Sequence, residues 1–180
     1  MVEFFVILAV ALIFWNPIVM NTIGPFIILK KQKIQTNVEF VAVDESSFIE
    51  DRNEQFKEYD SELHELKFVS IGSSILLDSH SESHFRLYWN AEIKMAAMVV
   101  SMKSNVEDIT FIEFIQLYSD GTLLSVNNSK QLPAYPEFDF KKAIRFPKEQ
   151  SPRALLKYHD AIKKNLKNDT VAVDYQIANG

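Results

Sequence analysis

Hydrophobic patterning divides the chain into an unbroken apolar leader and a longer region where apolar positions recur with two different periods. From Phe4 to Leu29, 26 consecutive residues carry no charge, and most are Phe, Ile, Leu, Val or Ala. As a helix this run is about 39 Å long, enough to cross a hydrocarbon core of about 30 Å once and too short to cross twice. A transmembrane helix is expected, because lipid offers no partner for the backbone groups of any other single-segment state. Pro17 is expected to kink it, and Asn16 and Asn21 to meet an interface or a partner helix. A buried core helix and a cleaved signal peptide compete with this reading. Against the signal peptide stand Glu3 in place of a basic leader, an apolar run beyond the usual ~7–15 residues, and no A-x-A site.

Lys30, Lys31 and Lys33 follow the run directly, whereas only Glu3 and the α-amino group precede it. Basic residues stay on the cytoplasmic side, so the N-terminus is expected outside and the remaining chain in the cytoplasm. The same three lysines flank the membrane and can touch anionic head groups.

Beyond residue 36 the periodicity alternates between 2 and 3.6. Val38–Val43 reads as a first strand, and 49–66 as a helix with Phe56, Tyr59, Leu63 and Leu66 on one stripe. Strands are then expected over 68–77 (with a bulge at Gly72), 85–90, 95–102, 109–118 and 123–126, with a short edge strand at 143–146. Phe85, Leu87 and Trp89 alternate with Arg86, Tyr88 and Asn90, which places the first three in the core. Asp78 to Ser83 is a polar turn. Asp120-Gly121 predicts a tight hairpin with both residues at positive φ. Ser151-Pro152 opens a helix running to about 167, and 168–180 lacks a core pattern.

The expected fold is α+β: an N-terminal transmembrane helix, then an antiparallel sheet of about five to six strands with two flanking amphipathic helices. The divisions are 1–35 (anchor with basic flank), 36–167 (soluble α+β domain) and 168–180 (flexible tail).

Composition narrows the chemistry. The 180 residues are 47% hydrophobic, which excludes a disordered chain, and the net charge of −5 disfavours a nucleic-acid binder. Without cysteine there is no disulfide, thiol nucleophile or thiolate metal site. Four scattered glycines leave no phosphate-cradling loop. Charge is also segregated: residues 39–65 hold ten acids and two bases, and 141–167 nine bases and two acids. Two such helices can lie side by side, although surface ion pairs contribute only about 0–1 kcal/mol each; alternatively, the basic helix attracts an acidic partner or anionic lipid.

The densest polar cluster is Asp78, His80, Glu82 and His84. In an extended chain these residues share one side, a donor set suited to a metal ion. A solvated turn accounts for the same residues, since closed metal sites draw ligands from separated segments, so these four remain weak metal candidates. His64 and His159 are general-base candidates by side-chain type, and Ser73, His159 and Asp120 form a triad only on paper, without a nucleophile-elbow motif. No residue is assigned a catalytic role and no cofactor is implied. The loop 132–138 is either a recognition surface or tucked under the sheet through Tyr135 and Phe138.

The functional expectation is a single-pass, cytoplasm-facing binding or regulatory module, not an enzyme. It contacts the bilayer through residues 4–29 and meets a protein partner, another membrane protein being one candidate. Two alternatives stand beside it: a membrane-bound hydrolase or metal-dependent enzyme using the 78–84 cluster, and an immunity or inhibitor protein acting through acidic Glu54, Glu58 and Glu62.

Overall fold

Two helices cover one face of a seven-stranded sheet, and their placement follows from where apolar side chains recur along each. The computed structural model describes residues 21, 26, 40–43, 45–77, 81–104, 108–131, 138–166 and 170–174. The chain separates into two compact units, Met1–Val38 and Glu39–Gly180, and the sheet belongs to the second. Apart from Asn21 and Phe26, the expected membrane span and Lys30, Lys31 and Lys33 lie outside the described residues. Among the described residues no helix is long and apolar enough to cross a membrane.

In chain order the elements are β1 (Phe40–Ala42), α1 (Glu45–Phe48), α2 (Glu54–Glu65), β2 (Val69–Leu77), β3 (Ser81–Asn90) and β4 (Met95–Ser104). They continue with β5 (Ile109–Leu117), β6 (Leu123–Asn127), β7 (Lys141–Arg145) and α3 (Pro152–Leu166). Spatial order equals sequence order, β1 through β7. The α+β class holds, with seven strands instead of five to six, and the sheet is not wholly antiparallel. β7 runs parallel to β6, which the 13-residue connection over 128–140 is long enough to allow. β3 begins at Ser81, inside the segment expected as a turn.

The helix expected over 49–66 starts later. Asn53 takes an extended conformation as N-cap, and its side chain accepts the Phe56 N–H at 2.9 Å. Phe56, Tyr59 and Leu63 are buried as the stripe required, and Leu66 caps the C-terminus. Lys67 follows in the left-handed region (φ 65) and turns the chain into β2. The bulge expected at Gly72 is present as a register shift between Ser70 and Gly72.

The Asp120-Gly121 turn differs in detail. Only Gly121 has positive φ (78), and Tyr118 N–H donates to Thr122 O at 2.9 Å, with Gly121 N–H to Tyr118 O at 2.9 Å. This is a type I turn closed by a glycine bulge, stabilised by Thr122 donating through its N–H and hydroxyl to Asp120 Oδ1 at 3.0 and 2.6 Å.

The tail is not loose throughout. Ser119 N–H donates to Val171 O and Val173 N–H to Leu117 O, at 2.9 and 3.0 Å. The pairing of β4 with β5 ends at Ala96–Ile115, so the end of β5 has ladder groups to satisfy, and residues 171–173 take them.

Phe56, Tyr59 and Leu63 of α2 and Leu155 of α3 pack on Tyr88, Ala97, Val99, Ile112, Phe114 and Val126 in one core cluster. Burial of each large side chain contributes about 1.5–3 kcal/mol. Tyr59 and Asn128 pin the ends of this layer. Asn128 Oδ1 accepts the Ile112 N–H at 2.8 Å, and its Nδ2 donates to the Tyr59 hydroxyl at 2.8 Å.

Candidate functional site

The two faces of the sheet are unlike, and β3 shows why. Its even-numbered residues point toward the helices: Tyr88 is fully buried, and His84, Arg86 and Asn90 nearly so. Its odd-numbered residues Phe85, Leu87 and Trp89 point to the opposite face, which reverses the expectation that they form the core. None of the three belongs to the core cluster, and Leu87 is 41% exposed. Alternation alone identifies two faces and not which one is covered.

Cross-strand register carries this face outward. Phe85 lies opposite Ser74 and Val100, Leu87 opposite Gly72 and Met98, and Trp89 opposite Val69 and Ala96. Val100 lies opposite Phe111, and Ala96 opposite Ile115. At the β1 edge the Phe40 ring meets Phe85 edge-on at 5.4 Å. Phe40 is 56% exposed, Val69 65% and Ile71 43%. No described helix packs on this face.

Where the face crosses β5 to β7 it turns polar, but its charges are internally matched. Glu113 is buried; Ser125 Oγ donates to its Oε1, and Lys141 Nζ approaches the same oxygen at 3.3 Å. Arg145 donates to Gln131 O. The apolar part over β1 to β4 thus carries no charged side chain, and the first charge met is Glu113 of β5, opposite Met98.

The helix-covered face holds a polar cluster that the sequence reading missed. Asp60 of α2 accepts the Tyr88 hydroxyl at 2.6 Å and pairs with Arg86 Nε at 3.3 Å, while His64 Nε2 lies 3.7 Å away. Beside it His84 packs edge-on against Phe48 and meets Glu82 Oε1 at 3.1 Å. Burial lowers the His84 pKa first, and the Arg52 charge lowers it further. The Arg52 guanidinium lies 5.0 Å from the Phe48 ring centre and donates to Phe48 O. The signal was available in part: Arg86 alternates with aromatic residues, and only the choice of covered face turns it inward.

Of the four metal candidates, Glu82 and His84 meet through one hydrogen-bond-length contact, and Asp78 and His80 lie outside the described residues. Among the described residues no group of three His, Asp or Glu side chains could hold a metal. The paper triad is not assembled. Ser73 lies on β2 and Asp120 in the β5–β6 turn, at least three strand spacings (more than about 14 Å) away, and Asp120 is bonded to Thr122. His159 is fully buried on α3, with neither ring nitrogen hydrogen-bonded, and its pKa is lowered to about 4 by burial and then by Lys163. Residues 132–137 of the loop lie outside the described residues; Phe138 is 54% exposed and stacks on Phe140 at 5.2 Å.

The acidic and basic helices do meet. Glu62 Oε1 accepts Ser151 Oγ and the Arg153 N–H, at 3.1 and 2.9 Å, and Glu65 pairs with Arg153 at 3.3 Å. Glu62 is therefore engaged at the α3 N-terminus, where its charge favours the helix dipole.

The chain matches no protein-family model, no curated protein and no solved structure. The functional reading therefore rests on these surfaces.

Proposed function

We propose that this protein is a single-pass, membrane-anchored binding module that docks to a second copy of itself through the open face of its sheet. Residues 4–29 form the anchor, Lys30, Lys31 and Lys33 set the orientation, and the sheet domain lies on the cytoplasmic side. The observation that carries the reading is the uncharged strip Phe40, Phe85, Leu87 and Val69 with no described helix upon it. Contiguous apolar surface of this kind marks an interaction site.

Three features favour a second copy. The strip offers no charge to select an acidic or basic partner, and an apolar patch is self-complementary about a two-fold axis. The exposed members Phe40, Val69 and Leu87 lie on three neighbouring strands, β1 to β3, and form one docking surface. A standard interface uses about 800 Å² of accessible surface per partner, and two such faces can stack as a sandwich about 10 Å apart. Anchoring also confines all copies to one bilayer in one orientation, which raises their effective concentration.

The absence of cysteine makes a single introduced thiol a clean reporter. Leu87→Cys in native membranes is expected to give a dimer with a short bis-maleimide, and adding Val69→Lys is expected to abolish it. A monomer that labels freely with a water-soluble maleimide sinks the self-docking reading, as does a thiol shielded from label without cross-linking. Carbonate extraction and a C-terminal topology reporter test the anchor separately.

A further inference from the structure

A cavity of about 240 Å³ opens between the first turn of α2, the start of β5, the chain after β6 and the residues before α3. Its walls carry amides held in one orientation. The buried Tyr59 hydroxyl accepts from Gln55 Nε2 and Asn128 Nδ2, both at 2.8 Å, and donates to Gln150 Oε1 at 3.0 Å. One hydroxyl has one proton and two lone pairs, so this set exhausts it and fixes which way both glutamine amides point. Gln55 Nε2 also donates to Gln150 Oε1 at 2.6 Å. What remains is an acceptor, Gln55 Oε1, beside a donor, Gln150 Nε2, with no partner for either among the described residues. Asp108, Lys130 and the Gln131 amide add polar groups from the other walls, and no ion pair joins Asp108 to Lys130 among the described residues.

We propose that this cavity binds a small uncharged ligand with adjacent hydroxyl or carboxamide groups, of the size of one hexose or acetamidohexose ring. A neighbouring acceptor and donor match groups that both give and take hydrogen bonds, as vicinal hydroxyls and an acetamido group do. The volume equals about eight water molecules at ~30 Å³ each, which a single ring fills. Among the described lining residues Asp108 offsets Lys130, which disfavours an anion such as phosphate, and Ile109 is the one aliphatic side chain, which disfavours an apolar ligand. The tertiary structure makes the site, because its walls come from positions 55, 108–110, 128–131 and 150. The proposal is independent of the anchor and of the open sheet face.

Saturation-transfer NMR on the full chain, in a detergent without a sugar head group, tests the assignment with glucose and N-acetylglucosamine. Millimolar binding is expected, as suits a ligand of about a dozen heavy atoms. Transfer from both sugars assigns the amide pair to ring hydroxyls, and transfer from N-acetylglucosamine alone assigns it to the acetamido group. Gln150→Leu is expected to weaken binding about tenfold and to lower the unfolding midpoint, because the buried Tyr59 hydroxyl loses its acceptor, and Gln131→Ala, which leaves the Tyr59 network intact, to weaken binding less at an unchanged midpoint. Absence of transfer from either sugar at about 10 mM, ten times the expected dissociation constant, overturns the proposal. Equal transfer from the wild type and Gln150→Leu overturns it as well.

Discussion

Two histidines, His84 and His159, lie beneath the helices with depressed pKa values, and His159 gives the clearer consequence. In the unfolded chain it titrates near 6.5 and in the folded domain near 4. Between those values the unfolded state binds a proton that the folded state does not, so stability is complete above 6.5 and is lost as pH falls toward 4. The full effect is about 3 kcal/mol at about 1.36 kcal/mol per pH unit. Thermal unfolding followed against pH is expected to show this loss, and His159→Leu is expected to flatten it, leaving the smaller slope of His84. A variant with the wild-type slope would exclude His159 as the source. Asp60 is the second residue whose loss is measurable. Asp60→Ala removes the carboxylate from buried Arg86 and the acceptor from Tyr88, and is expected to cost about 3 kcal/mol in urea unfolding. Asp60→Ala with Arg86→Met is expected to recover part of that. These residues were only half legible in the sequence: the alternation in β3 named the pair of faces, and the inward turn of Arg86 depended on α2 presenting Asp60 above it.

At the scale of elements, local chemistry explains most boundaries. Asn53 starts α2 because its side chain satisfies the Phe56 N–H and reaches Thr110 Oγ1 at 2.7 Å. Asn53→Ala is expected to lower stability by about 1 kcal/mol, seen as a reduced urea midpoint with an unchanged m-value. The stripe of α2, the Ser151-Pro152 start of α3, the bulge at Gly72 and the place of the Asp120-Gly121 turn were readable for the same reason: each depends on residues within one or two turns of chain. The tail was not. Val171 and Val173 make too short a pattern to signal a strand, and their pairing exists because β4 stops short of the end of β5. The parallel β7 was hidden likewise, since Lys141–Arg145 carries no mark of direction and the crossover length only permits either arrangement.

For the whole molecule, the prediction is that open-face substitutions separate association from stability. Leu87→Lys and Val69→Lys are expected to change unfolding free energy by no more than about 0.5 kcal/mol, as for other exposed positions. In the same variants the cross-linked dimer should disappear from membranes, and a large fall in melting temperature instead would place these side chains in the core. The α+β class, the order of elements and the clustering of acids before bases were set along the chain, because periodicity and charge are properties of neighbouring residues. Which sheet face the helices cover, the burial of Arg86 under Asp60, and the convergence of Gln55, Asn128 and Gln150 on Tyr59 were decided only in three dimensions. Those outcomes depend on contacts between residues up to about a hundred positions apart, and a one-dimensional pattern assigns such residues to faces without stating which faces meet.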